Sequence, residues 1–196
     1  VLIYRKKLTP NNVMKKILSF ILLGATSLVA SAQISSLDEL STDKAYTIYN
    51  PFYTTYAVYN AEKSTSLVWA AGMTASDKTI ADQSYTTPFN AADPSSSWMI
   101  VPFNEQWFVY NLGAKKFMAV GHTAANSSTA SAKLQDTPVA VEFTSNGNGG
   151  FHLRSYDGNQ NFLCAAPQLS YPISIWTSAD NGSTWQIEEN AQVQAD

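Results

Sequence analysis

A single cysteine, Cys164, stands in 196 residues, so no intramolecular disulfide framework can hold this chain together. Stability has to come from packing. The run Phe162-Leu163-Cys164-Ala165 is apolar and strand-like, which marks Cys164 as a buried small hydrophobe rather than a reactive thiol. Histidine is almost as scarce. His122 sits beside Gly121 and His152 alternates with Phe151 and Leu153, so neither is spaced as half of a metal pair, and His152 should face solvent. There is no Gly-x-Ser-x-Gly elbow and no phosphate-binding loop. Paired carboxylates of the glycosidase kind leave no local signature to read. Nothing in the sequence calls for a cofactor or a metal, and the reading is of a protein that is not an enzyme.

Long apolar runs are also missing. The longest, Ile17 to Leu23, is far below the ~20 residues that span a bilayer. It follows Met14-Lys15-Lys16 and precedes Ala30-Ser31-Ala32. A basic start, a short apolar middle and an A-x-A end describe a secretory signal peptide over 14–32, with Gln33 as the first mature residue. Residues 1–13 read as an upstream extension. The expected location is outside the cytoplasm: periplasm, cell surface or medium. No transmembrane segment is expected in the mature chain.

Basic residues are few once the leader is set aside. Five of the 12 (Arg5, Lys6, Lys7, Lys15 and Lys16) lie before residue 33, leaving seven against 15 acidic residues and a net charge of −8. Such a domain repels phosphate backbones, which excludes nucleic acid as a natural partner and disfavours anionic membranes.

Short alternating runs fill the rest, and no helical stripe follows residue 33. A short helical turn over 36–43 precedes the first strand. Tyr46-Thr47-Ile48-Tyr49-Asn50 matches Trp107-Phe108-Val109-Tyr110-Asn111, and Phe151-His152-Leu153-Arg154-Ser155 matches both more weakly. Period two puts the aromatic and the branched residue of each on one sheet face. A second strand follows in each case: Tyr56 to Tyr59, Phe117 to Val120, Phe162 to Ala165. A third comes at Leu67 to Trp69, Ala132 to Leu134 and Ile173 to Trp176. A closing strand starts at Trp98, Val141 and Trp185. Turns fall at Leu112-Gly113-Ala114, at Gly147 to Gly150 and at Asp157-Gly158-Asn159.

Three units of four strands, about 46–103, 107–145 and 151–190, predict an all-β fold, a β-trefoil over 33–196. Its core should hold Ile48, Trp98, Val109, Phe143, Leu153 and Trp185. Residues 71–97 lengthen the first unit and read as an inserted surface loop.

The third unit resembles the ricin-type β-trefoil lectins, in which a Leu-Cys strand precedes a strand ending in Trp and a second Trp closes the repeat. The residues that carry this are Leu163-Cys164, Ile173-Ser174-Ile175-Trp176 and Trp185. The wider chain is similar to accessory domains of secreted bacterial glycan-degrading enzymes, through Leu40 to Ile48, Leu134 to Pro138 and Ile175 to Trp185. The resemblance implies a carbohydrate-linked role. It is incomplete: Ser183 stands where the lectins have Gln before the closing Trp, Ser174 where they have Gln before the stacking Trp, and their hydroxyl-binding Asp falls near Ala166.

The candidate ligand site is therefore Trp176, Asp180 and Asn181, with Tyr171 and Gln168 on one side. An exposed indole stacks on a pyranose while carboxylate and amide bond its hydroxyls. The same residues would equally serve as a packed hairpin cap and a chain turn. Phe52, Tyr53 and Trp69 are the aromatic candidates of the first unit. The ligand expected is a neutral or weakly cationic glycan. The alternative is a protein-binding or protease-inhibitor trefoil that uses the 71–97 loop.

Overall fold

In the computed structural model the described residues are 32–71, 86–121, 131–156, 161–165 and 172–195. They form thirteen strands: β1 (Lys44–Asn50), β2 (Thr55–Tyr59), β3 (Val68–Ala71), β4 (Thr86–Thr87), β5 (Trp98–Phe103), β6 (Gln106–Asn111), β7 (Lys116–Ala119), β8 (Lys133–Gln135), β9 (Val141–Ser145), β10 (Phe151–Ser155), β11 (Phe162–Cys164), β12 (Ser174–Trp176) and β13 (Gln186–Gln194). The only regular helix among them is short 3₁₀ turns. The first, Leu37–Glu39, is the turn expected over 36–43 and is closed by a Ser36/Glu39 capping box. The hairpin expected at Asp157 lies outside the described residues, as does His122.

Six strands close a barrel. The first and last strands of each unit meet at one bridge: Tyr46 with Trp98, Trp107 with Val141, Phe151 with Trp185. Longer antiparallel ladders join neighbouring units, β5 to β6, β9 to β10 and β13 to β1. The second and third strands of each unit form a hairpin: β2–β3, β7–β8 and β11–β12. This is a β-trefoil.

Period two explains the core. Ile48, Trp98, Ile100, Val109, Leu153, Trp185 and Ile187 are wholly inaccessible, and Phe143 nearly so. Trp107 is the departure. It is only half-buried and rests edge-on against Phe143, with ring centroids 6.1 Å apart.

The three hairpins converge on the pseudo-threefold axis, where backbone groups of three buried residues form a ring. Val68 N–H donates to Ala132 C=O (3.2 Å), Ala132 N–H to Ile173 C=O (2.7 Å), and Ile173 N–H to Val68 C=O (2.9 Å). Each donor and acceptor is thereby paired where water cannot reach.

The first two units also share a turn. Asn50 and Asn111 end their first strands, and each side-chain oxygen accepts a backbone N–H three residues on, from Tyr53 and Ala114, both at 2.8 Å. Thr54 and Lys115 then take the same left-handed conformation.

The insertion differs from its reading as a surface loop. Residues 72–85 lie outside the described residues, but Thr86–Thr87 form β4, parallel to β3. Phe89 stacks on Tyr56 with centroids 3.7 Å apart and planes 8° apart. Asn60 Nδ2 donates to Thr87 Oγ1 (2.9 Å), and Asn190 Nδ2 to Ala91 C=O (2.7 Å). Ring stacking and side-chain amides fasten this half of the insertion to the barrel.

Candidate functional site

The third unit places Trp176 at the end of β12, opposite Phe162 across the hairpin. Trp176 is half-buried, whereas Trp98 and Trp185 are sealed in the core. Beneath the hairpin, Ser174 is buried and its hydroxyl donates to Cys164 C=O (3.2 Å). Cys164 is buried too, and burial pushes its thiol up to about 11.

After β12 the chain runs exposed through Ser178, Ala179, Asp180 and Asn181. Asp180 caps the 3₁₀ turn Asn181–Ser183, its carboxylate accepting Ser183 N–H at 3.0 Å. Thr184 Oγ1 donates to Asp180 C=O (3.0 Å), and Ser183 Oγ to Ser178 C=O (3.0 Å). The first unit braces this turn from below. Asn50 Nδ2 donates to the carbonyls of Asn181 (3.0 Å), Gly182 (2.9 Å) and Thr184 (2.9 Å). Gly182 is required there, because a Cβ would stand 2.9 Å from Ala165 C=O and 3.0 Å from Cys164 Sγ. Asp180 and Asn181 thus lie exposed on a rigid, pre-formed turn that follows Trp176. Tyr171 and Gln168 lie outside the described residues.

His152 is not free in solvent as its alternation implied. Its ring is half-buried, edge-on to Phe162 at 5.9 Å, and Nδ1 lies 2.9 Å from Ser183 C=O. The hairpin overhangs the barrel wall at this point, which a strand-period reading does not include. Next to it Arg154 makes a two-pronged pair with Glu142, at 2.9 and 2.8 Å.

In the first unit, Trp69 is no exposed platform. It is buried with Val58 and Ala71, and the Lys63 ammonium lies 5.3 Å from its ring centre. Phe52 is exposed and stands perpendicular to Tyr53, which is half-buried.

Sequence reading missed a polar cleft of about 290 Å³ in this unit, lined among others by Tyr59, Asn60, Glu62, Thr87, Asp93 and Ser95. Ala57 pairs with Ala70 as Leu163 pairs with Ile175, so Asn60 is the counterpart of Ala166. An amide therefore stands in the first unit where the third has Ala166. Asn60 Oδ1 accepts Glu62 N–H (3.0 Å) and Lys63 N–H (3.2 Å), and Asp93 accepts Ser95 N–H (2.9 Å). One signal was present in the sequence. Asp93, Asp136 and Asp180 each stand five residues before their closing strand's first residue. Asp93 and Asp180 cap 3₁₀ turns, while Asp136 pairs with Lys116 at 2.9 Å.

Among the described residues no helix is long and apolar enough to cross a membrane, and no three His, Cys, Asp or Glu side chains gather as a metal-ion set.

No protein-family model matches the chain, and no curated protein matches it by sequence. Solved structures match it by fold. A ricin B-like lectin from Macrolepiota procera, solved in complex with lactose, aligns with a TM-score of 0.58 at 13% identity, over 76% of this chain and 97% of that one. ThreeFoil, a designed three-fold symmetric protein, gives 0.54 at 13% identity, over 74% and 97%. A GlcNAcα1-4Gal-releasing endo-β-galactosidase from Clostridium perfringens gives 0.54 at 8% identity, over 74% of this chain but 32% of that enzyme. The shared feature is the fold: this chain has the trefoil architecture of the ricin B-like lectins.

Proposed function

We propose, on the premise of that lectin-type architecture, that the domain is an exported, non-catalytic carbohydrate-binding module whose third unit stacks a sugar ring on Trp176. The observation that carries the reading is the state of Trp176. The tryptophans Trp98 and Trp185 are buried, yet Trp176 is only half-buried at the start of an exposed turn. Asp180 and Asn181 supply hydroxyl-bonding groups on that turn. A flat apolar ring beside a few fixed polar groups suits a neutral polar ligand. The net charge of −8 after residue 32 favours neutral or weakly cationic glycans over polyanions.

The polar cleft of the first unit supports a second contact for the same ligand class, with Asn60 and Asp93 facing hydroxyls. Two weak sites on one rigid body raise avidity without new contacts at either.

A glycan array followed by calorimetric titration tests the assignment. Trp176→Ala should weaken binding at least tenfold, and Asn60→Ala should weaken multivalent more than monovalent ligands. Binding that survives Trp176→Ala in a folded variant refutes the third-unit site. If no glycan binds, and partner-protein capture is lost on deleting residues 72–85, the domain is a protein-binding trefoil instead.

A further inference from the structure

The pseudo-threefold symmetry compares the outer barrel wall with itself. The register makes the positions equivalent one by one. Tyr49 pairs with Gln186 and Tyr56; Tyr110 pairs with Met99 and Phe117; Arg154 pairs with Glu142 and Phe162. One step along, Thr47 faces Glu188, Phe108 faces Val101, and His152 faces Thr144. On two walls these outward positions include Gln, Glu, Thr, His and Arg. On the second unit's wall all five are apolar or aromatic: Met99, Val101, Phe108, Tyr110 and Phe117.

The fold therefore does not need apolar residues at four of these places: Met99 corresponds to Gln186 and Glu142, Val101 to Glu188 and Thr144, Phe108 to Thr47 and His152, and Tyr110 to Tyr49 and Arg154, while the place of Phe117 is aromatic in all three units. Those five side chains, with Pro138 and with Phe103 at the rim, line a groove of about 550 Å³. Phe103 is 64% exposed beside a hairpin tip where Asn104 and Glu105 are left-handed. No charged side chain lines the groove. An open apolar face on a protein surface marks a contact site.

What fills it follows from three observations. The volume lies within the ~300–1,000 Å³ of small-molecule pockets. The face, at seven side chains, is far smaller than the roughly 20–30 residues a side of a stable protein interface. And the first unit shows an occupant: Phe89 lies flat on Tyr56, the counterpart of Phe117. In the second unit Phe117 has only Phe108 and Tyr110 as ring neighbours among the described residues, both edge-on. We propose that the second-unit groove is a binding site for a small, uncharged, aromatic molecule, whose ring takes the place on Phe117 that Phe89 takes on Tyr56. This site is separate from the glycan site and does not rest on it.

The test uses N-phenyl-1-naphthylamine, a neutral aromatic whose fluorescence rises in apolar surroundings. It should bind saturably at one site per chain. Val101→Thr and Phe108→Thr, which borrow Thr144 and Thr47 from the equivalent walls, should each weaken it at least tenfold without lowering the melting temperature by more than a few degrees. Trp176→Ala should leave it unchanged. A second readout needs no variant: the ε-methyl resonance of Met99 should shift on titration, while that of buried Met118 stays still. Non-saturable binding, a still Met99 signal, or full binding by both folded variants overturns the proposal. So does a dimer that Phe108→Thr dissociates, because a second copy would then fill the groove.

Discussion

Trp98 and Trp185 hold the same place in two different units and make the same bond. Trp98 opens β5 and Trp185 stands just before β13; each is fully buried and donates its indole N–H at 2.8 Å to a carbonyl in the second strand of its own unit: Ala57 for Trp98, Leu163 for Trp185. The second unit has Val141 there, which fills the core without that bond. The tryptophan therefore ties the hairpin cap to the barrel as well as filling space.

Trp185→Ala should cost about 3–5 kcal/mol by urea unfolding, as the deletion of a buried aromatic. Trp185→Phe separates the two roles. It keeps most of the volume, leaves Leu163 C=O unpaired, and should cost about 1–3 kcal/mol. Equal losses for the two variants would show that the bond carries the whole effect.

Asn50 and Asn111 occupy matching turns but bear different loads. Asn50 holds three carbonyls of the turn before β13, while Asn111 holds one, Ser95 C=O at 3.0 Å. Both are fully buried. Asn50→Ala should therefore destabilise more than Asn111→Ala, by about 2–4 against about 1–2 kcal/mol. Only the first should also weaken glycan binding, because it releases the turn that bears Asp180. The check is thermal unfolding and titration of both variants.

Gly113 is fixed by a close approach. A Cβ there would lie 2.5 Å from Ser95 N and 2.6 Å from Ser95 Cα, both backbone atoms. Gly113→Ala should cost about 1–3 kcal/mol. Gly147→Ala offers the contrast. Nothing lies within 4 Å of its added Cβ, and only its positive φ opposes the change.

Burial holds the Cys164 thiol at about 11, above its ordinary value of 9.0. The folded state therefore favours the protonated thiol. Its contribution to stability is fully present below about pH 9 and is lost as the pH rises towards 11. Alkylation by iodoacetamide at pH 7.5 should be very slow in the native protein and fast in urea. Rapid native alkylation would contradict the burial.

Export is checked at the N-terminus. Protein recovered outside the cytoplasm of a Gram-negative host should begin at Gln33. The next residue, Ile34, is already buried in the core, its N–H donating to Ile187 C=O at 2.7 Å. Recovery of chains retaining Lys15 and Lys16 would refute cleavage.

The repeat was legible because Tyr46, Trp107 and Phe151 begin strands of one period, and the closing strands start at near-even spacing. That made most of the core legible, with the half-buried Trp107 as the exception. The outer wall was not legible in the same way. Trp98-Met99-Ile100-Val101 is apolar at every position, so alternation cannot reveal that Met99 and Val101 face outward. The polar cleft was hidden for another reason: Asn60 and Asp93 meet across an insertion. Asp180 was visible as a turn former, and its cap on Ser183 N–H is that turn's physical basis. The burial of Trp69 comes with its cluster of Val58 and Ala71, against which Phe89 of the insertion packs, a neighbour no local pattern states.

The ring through Val68, Ala132 and Ile173 has a kinetic meaning. Each unit contributes one link, and the last joins the first unit to the third. No subset of units can close it, and the parting of any one hairpin breaks two of its three bonds. In deuterium exchange these three amides should be the slowest class and should exchange together, at the rate of global opening. The ring then makes three repeated segments a single cooperative unit.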